Sequence, residues 1–589
     1  MTYIPPTDDM KFALRHLADF SAVADLPCFA DTGLDLADAV IDEAAKLAAD
    51  VIAPLNHTSD MQSASYVETD SSVQTPQGFA EAYRAMAAGG WTSIEAEEAF
   101  GGQNMPMALS AAVNEMWQSA SLSFALCHLL TQGQIYALQK SASEDQKHRF
   151  LPAMVEGRWT GTMNLTEPQA GTDLAAIKTR AVKNGDHYLI TGQKIYITYG
   201  EHDMAENIIH LVLARTPDAP EGVKGISVFI VPKILVNDDG SLGEANDVRC
   251  LSIEKKLGIK ASPTAVMQYG EKGGAVGYLV GAENDGLSIM FGMMNHARFA
   301  VGLQGLSVAE RGYQQAVDYA QNRVQGTPLD RSPGTPIAHH PDVLRLLSVM
   351  RAEVEAMRGL TLFGGAALDF ARHGPEADRA RLDERASLLI PIIKGWLTER
   401  SVTLTSDALQ VHGGMGFIEE TGAAQHYRDS RILPIYEGTT AIQANDLIFR
   451  KTLRDGGAAV RALIADIQAD LSACDDRLAA PMHDAIATTE QTLEFLCARA
   501  NDPRRAAVSS VDWLMLLGWL CGGWMMSKSA HVAASGTAEG FSPAFLEAKQ
   551  VTADIYLHQC LPHIDALARK ITSGGDPVLA MDPDWLTRH

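Results

Sequence analysis

The chain has 589 residues, of which 46% are hydrophobic and 20% charged, and its formal net charge is −24. That length predicts three or four domains or subdomains with ample apolar material for a large core. The acidic balance repels nucleic acid phosphates and anionic membranes, so a nucleic acid role is at most secondary. A few placed Arg or Lys residues can still hold an anionic ligand locally. The seven Cys stand at 28, 127, 250, 474, 497, 521 and 560. They form no CxxC pair, and none lies near a His at metal-ligand spacing. This predicts a reducing cytoplasm, no disulfide framework and no metal site. The first ten residues lack a basic region followed by an apolar run, so no secretory signal is expected. The most apolar stretch, Trp513–Met526, is shorter than the about 20 residues of a membrane span, which predicts a buried helix and no membrane anchor.

In chain order, residues 1–35 carry Pro5, Pro6 and Pro27 and an apolar patch around Phe12 and Leu14, the pattern of an ordered arm. From Leu34 the spacing is helical: Ala37, Val40, Ile41, Ala44, Ala45 and Ala48 share one face, and Pro54 stops the run. Helical patterning continues to residue 159, with breaks at Gly89-Gly90 and Gly101-Gly102 and two buried helices between Met107 and Lys140. Near Trp159 the pattern changes to β-branched and alternating runs separated by turns such as Asn184-Gly185 and Asp239-Gly240. This predicts an antiparallel β domain over 160–282. No βαβ alternation and no GxGxxG after a strand occur, which argues against a nicotinamide-binding fold. From Gly286 the sequence is helical again, with long segments ending near 323, at 342–373, 384–412 and 440–454, the pattern of a four-helix bundle over 283–455. A helical, alanine-rich extension fills 456–589. The fold class is therefore α+β, mostly α.

Two short segments stand out chemically. The first, Leu165-Thr166-Glu167-Pro168-Gln169-Ala170-Gly171-Thr172-Asp173, lies where helix gives way to strand, and its hydroxyls and small residues can present backbone N–H groups to an anionic or carbonyl-rich ligand. An N-cap followed by a turn accounts for it equally well. The second surrounds Glu437. Pro434 stops what precedes it, and Thr439 or Thr440 can cap the helix that follows, so Glu437 sits on a short loop from which it can reach into a cleft. By itself such a residue reads as a solvated loop glutamate.

Taken together, five segments resemble the acyl-CoA dehydrogenase family and occur in its order. They are the T-E-P-x-A-G-T-D run at 166–173, the strand Gly192–Thr198 with Tyr196 where Trp is usual, the helix bracketed by Arg298 and Arg323, the Gln410–Phe417 motif with Gly413 and Gly414, and the "IYEGT" core within Arg428–Gln443. The resemblance implies an FAD enzyme that oxidises the α–β bond of an acyl-CoA thioester. Glu437 would be the catalytic base and its backbone N–H a support for the thioester carbonyl. In an apolar pocket its pKa should be raised. Leu165, Thr166, Tyr196, Ile197, Thr198 and Thr439 would meet the flavin ring. Arg323, Gln410, Gly413 and Gly414 would bind the ADP part of FAD across a subunit interface, with Arg donating a fork to pyrophosphate and glycine allowing close backbone approach. Thr172, Arg298 and Gly438 would contact the CoA ester. Without the family, the glycine pair reads as a helix C-cap and Arg323 as surface charge. Ala441 occupies a place where the family has a polar flavin contact, and Gln443 is the nearest polar alternative.

The length and the opening "YIPPTDDMKFAL" resemble the long bacterial group with a C-terminal extension. For that group the resemblance implies 3-(methylthio)propanoyl-CoA as substrate, a step in the breakdown of a marine sulfur compound. It also implies an electron-transferring flavoprotein as acceptor, a homodimer and a cytoplasmic location. The alternatives are another short- or medium-chain acyl-CoA, an oxidase using oxygen, and a DNA-binding flavoprotein of a damage response. The last needs a basic extension, and 456–589 has no run of Lys or Arg.

Overall fold

A computed structural model describes residues 3–329 and 331–587. The arm is helical at Thr7–His16 and Phe20–Ala24 and buries Met10, Phe12, Leu14 and Phe20. The helix expected from Leu34 runs to Lys46 and passes into a π-helical turn, Leu47–Ile52. Its buried face is Ala37, Ile41, Ala44, Ala48 and Ile52, while Val40 and Ala45 are half-buried at its margin. The two expected buried helices are Met107–Ala120, buried along its whole length, and Leu122–Ser141.

The β domain is an eight-stranded sheet. Its spatial order is Val248–Ile253, Thr264–Tyr269, His187–Thr198, Ala275–Leu279, Ser227–Pro232, Asn207–Ala214, Trp159–Asn164, and Arg180–Asn184 also pairs with His187–Thr198. The antiparallel expectation needs one correction: Trp159–Asn164 runs parallel to Asn207–Ala214. The long stretch between them, which contains two other strands, supplies the crossover that a parallel pair requires. Along Asn207–Ala214 alternate residues enter different cores, Ile209, Leu211 and Leu213 on one face and Val212 and Ala214 on the other. A strand buried on both faces reads as an unbroken apolar run, which explains "IIHLVLA".

Three long helices, Gly286–Asn322, Pro341–His373 and Arg379–Val411, pack side by side. The fourth expected segment is a short helix, Thr440–Asn445, that continues as a π-helical turn, Asp446–Leu453. The extension contributes Pro503–Ser535, which packs on the second and third long helices. This helix is long and apolar enough to cross a membrane, yet its most apolar window is 72% buried inside the fold. It approaches Arg379–Val411 closely because Gly518 lies under Trp396; a Cβ there would come 2.2 Å from the indole. Trp396 and Trp519 then meet edge to face, 5.5 Å between centroids, and Arg400 lies over Trp519 while its guanidinium grips Glu353 at 2.7 and 3.0 Å. The extension thus buttresses the helix that carries Lys394.

A buried charge cluster ties arm, bundle and extension together. Arg358 donates to Glu115 at 2.6 and 2.9 Å, to Glu310 at 2.6 Å and to Asp9 of the arm. Lys549 of the extension bridges the same Asp9 to Glu355, the latter at 3.0 Å.

Candidate active site

The helix Ala423–Ser430 ends short of Pro434, and the chain then crosses a loop to Thr439, whose hydroxyl oxygen accepts the Ile442 N–H at 3.4 Å and caps Thr440–Asn445. Within the loop Glu437 has φ +54° and Gly438 φ +91°. A non-glycine residue in the left-handed region persists only where its surroundings hold it there. Several groups do so. The Lys394 ammonium donates to the carbonyls of Leu433 at 3.0 Å and Gly438 at 2.7 Å. The Gln443 amide donates to those of Glu437 at 3.3 Å and Gly438 at 3.4 Å. The Thr440 N–H bonds Pro434 at 3.0 Å, the Thr440 hydroxyl bonds Glu399 at 2.5 Å, and the Tyr436 hydroxyl donates to Gln304. Gly438 is required twice over, by its φ and because a Cβ would sit 2.7 Å from Gln443 Nε2.

Burial pushes the Glu437 carboxyl above the ordinary glutamate range, while the Arg298 and Lys394 cations pull the other way. Arg298 is itself buried, with one long bond to Asn295 Oδ1 at 3.4 Å and its Nε unpartnered. Glu437, Gly438 and Arg298 are therefore brought together. Gln443 is buried with its amide nitrogen on the loop, so it is not free to stand in for the polar residue missing at Ala441, which is exposed. Sequence reasoning missed Lys394 and the holding role of Gln443. A signal for the first existed: Lys394 is the lone charge in "LLIPIIKGWL", and a charge inside an apolar helical run needs buried partners.

The first motif is built around Glu167 rather than its hydroxyls. Trp159–Asn164 delivers half-buried Leu165 and Thr166, and a tight turn follows in which Glu167 and Ala170 exchange backbone bonds of 3.0 Å. The buried Glu167 carboxylate accepts from Lys194 Nζ at 2.8 Å, Thr179 Oγ1 at 2.6 Å, Gln169 Nε2 at 2.6 Å and the Lys178 and Thr179 N–H groups at 2.6 and 3.1 Å. Burial opposes its ionisation, but Lys194 and these bonds outweigh that and hold the carboxyl down to about 2. Lys194 also donates to the Leu165 carbonyl at 3.0 Å, and the Ile195 N–H to that of Thr166 at 2.9 Å. Leu165 and Thr166 are thus fastened beside the strand end that carries Tyr196, Ile197 and Thr198. Tyr196 has φ +61° and is 60% exposed, so its ring and hydroxyl are open to a ligand. Ile197 is buried, Thr198 half-buried, and Thr172 and Thr439 are exposed.

A further group gathers at one end of the bundle. Arg323 closes Gly286–Asn322, and Gln410, Gly413 and Gly414 lie at and just past the end of Arg379–Val411. The two ends are adjacent, since the Tyr319 and His412 rings are 4.5 Å apart. Arg323, Gln410, Gly413 and Gly414 are exposed, and a Cβ on either glycine would meet nothing within 4 Å. Bare backbone beside an Arg fork suits a pyrophosphate, and two threonine hydroxyls beside an exposed aromatic ring suit a flavin, so the donor set fits FAD. Among the described residues no cluster of His, Cys, Asp or Glu is arranged to hold a metal ion.

The chain belongs to the acyl-CoA dehydrogenase family, whose members are FAD-dependent oxidoreductases. The family's N-terminal domain matches residues 36–158, its middle domain 162–271 and its C-terminal domain 284–451, and an acetyl-CoA dehydrogenase C-terminal-like domain matches 458–582. The chain is 48% identical to 3-methylmercaptopropionyl-CoA dehydrogenase of Ruegeria pomeroyi, over 98% of this chain and 99% of that one. It is 34% identical to a butyryl-CoA dehydrogenase of Syntrophomonas wolfei, over 95% of each. Among solved structures, Caenorhabditis elegans ACDH-11 in complex with C11-CoA has the same fold, with a TM-score of 0.79 at 18% identity over 99% of this chain and 96% of that one.

Proposed function

We propose that this enzyme oxidises 3-(methylthio)propanoyl-CoA to 3-(methylthio)acryloyl-CoA. What carries the chemistry is Glu437, half-buried on a loop held in a left-handed conformation, with its carboxyl between Arg298 and Lys394. The α-proton of a thioester is weakly acidic, and its removal needs a base with a raised pKa together with donors at the developing enolate oxygen. Glu437 takes the α-proton. Its own N–H holds the thioester carbonyl, and Arg298, Gly438 and Thr172 position the CoA ester. Bound FAD supplies the acceptor for the β-hydride at its N5 position. Leu165, Thr166, Tyr196, Ile197, Thr198 and Thr439 form the surface that orients the flavin, and Arg323, Gln410, Gly413 and Gly414 hold its ADP part.

The choice of substrate is supported by the 48% identity over nearly the whole chain to a dehydrogenase of that name. The butyryl-CoA relative at 34% keeps a short straight-chain ester as the second reading. Steady-state turnover on a panel of acyl-CoA esters, with an electron-transferring flavoprotein as acceptor, decides between them. The methylthio ester should give the highest kcat/KM. A butanoyl-CoA value well above it would favour the second reading, and reduction of oxygen without the acceptor would replace both with an oxidase.

The same reading divides the chain into an arm (1–35), a helical domain (36–159), a β domain (160–282), a helical bundle (283–455) and a helical extension (456–589), working in the cytoplasm. It makes the protein a homodimer, in which the exposed Met415, Phe417 and Ile418 beside the glycine pair are covered by the second subunit. Sedimentation should return twice the chain mass of 63.4 kDa; a tetramer would contradict the dimer.

A further inference from the structure

We infer that Lys394 is a positioning residue for the base: its ammonium clamps the carbonyls on both sides of Glu437 and sets the charge beside that carboxylate. The inference rests on Glu437 being the base. Lys394 is fully buried in the middle of Arg379–Val411, and its Nζ reaches the Leu433 and Gly438 carbonyls at 3.0 and 2.7 Å. These bonds bridge the loop like a strap, and with Gln443 they keep Glu437 at its positive φ. Lysine is suited to this because one buried ammonium has three donors and can satisfy two carbonyls that no backbone N–H among the described residues reaches. The ammonium forms no ion pair with the Glu437 carboxylate: it acts on that group through space, while its bonds go to the loop backbone.

The charges around the pair are few. Glu437 faces Arg298 from Gly286–Asn322, Lys394 from Arg379–Val411, and Tyr436 beside it in the loop. Lys394 also feels Glu399 on its own helix and the like charge of Arg298, and Arg298 feels Asp446 and the like charge of Arg450. Burial pushes the Lys394 ammonium down to about 8, against the pull of Glu437 and Glu399. Below that pH it is a cation beside the base and keeps the carboxylate ionised into more acidic solution than burial alone would allow. Immediately next to it, Gly395 and Trp396 face the extension; a Cβ at Gly395 would come 2.6 Å from Leu514. The helix therefore cannot back away from the loop.

The test is Lys394→Met and Lys394→Gln in the FAD-loaded enzyme, alongside Glu437→Gln, with anaerobic flavin bleaching by 3-(methylthio)propanoyl-CoA followed against pH. Loss of the strap should slow bleaching at saturating ester by roughly 10–100-fold, the cost of misplacing a catalytic group by about 1 Å. KM should rise by less than the rate falls, because Arg298 and Thr172 still contact the ester while only the Glu437 N–H and Gly438 sit on the loosened loop. The acid limb of the rate should move up by roughly one pH unit, because the base loses a cation. Hydrogen exchange, read without substrate, should show faster exchange of the loop amides from Tyr436 to Thr439. If Lys394→Met does not fold, Lys394→Gln, which keeps a donor and drops the charge, carries the same test. An unshifted acid limb with unchanged loop exchange, while Glu437→Gln is inactive, overturns this inference and leaves the base assignment standing. Wild-type bleaching by Glu437→Gln would instead remove the base assignment, and this inference with it.

Discussion

Replacing Glu437 by Gln lowers the rate of flavin bleaching by an acyl-CoA ester by about 10²–10⁴-fold, the usual contribution of a positioned general base, and leaves the flavin bound. The amide keeps the size of the side chain and cannot accept the α-proton. The loop should survive the change, because Lys394, Gln443, Tyr436 and Thr440 all hold it through backbone carbonyls or other side chains and none bonds the Glu437 carboxylate. Ester affinity should therefore stay within a few-fold, so that the loss falls on kcat. Stopped-flow bleaching with a parallel binding titration separates the two. A variant that lost affinity and kept its rate would make Glu437 a binding group.

The largest stability effect is expected at Arg358. Arg358→Met leaves Glu115, fully buried, and Glu310, 4% exposed, without this cation, and leaves the arm's Asp9 tied to the bundle only through Lys549 and Glu355. Removing one partner of a buried ion pair costs about 3–5 kcal/mol, because the remaining charge stays desolvated. The extension should feel it as well, since Lys549 reaches the same Asp9. Urea unfolding of wild type and variant measures the difference. Adding Glu115→Gln to Arg358→Met should recover part of the loss by removing an orphaned charge. Equal midpoints for wild type and Arg358→Met would mean that the cluster adjusts its protonation at no net cost.

Much of this was legible in the sequence because it is periodic or local. The apolar spacing from Leu34, the Ala-, Leu- and Ser-rich Met107–Lys140 region and the alternation after Trp159 each reflect how one element is buried, and the structure follows them. The parallel pairing of Trp159–Asn164 was not legible, because both faces of its partner strand are buried and the register depends on a long crossover. The fourth bundle segment was legible as helix but not as a short helix running into a π-turn. In the site, the loop between Pro434 and a threonine cap was legible, but Glu437 by itself read as a solvated loop glutamate, and only the family resemblance pointed to it as a base. Glu167 was visible as part of a motif, but its partners Lys194 and Thr179 come from elsewhere in the chain. Lys394 is distant in sequence from the loop it holds, and only the lone charge in an apolar run hinted at it.

The fate of the substrate's α-hydrogen tests the central claim most directly. 3-(Methylthio)propanoyl-CoA deuterated at the α-carbon is mixed anaerobically with wild type and Glu437→Gln, and the thioesters are recovered for mass spectrometry. If Glu437 is the base, wild type removes the α-deuterium, bleaching more slowly than with the undeuterated ester, and Glu437→Gln returns the ester with its deuterium intact. Loss of α-deuterium at the wild-type rate in Glu437→Gln would show that another group takes the proton.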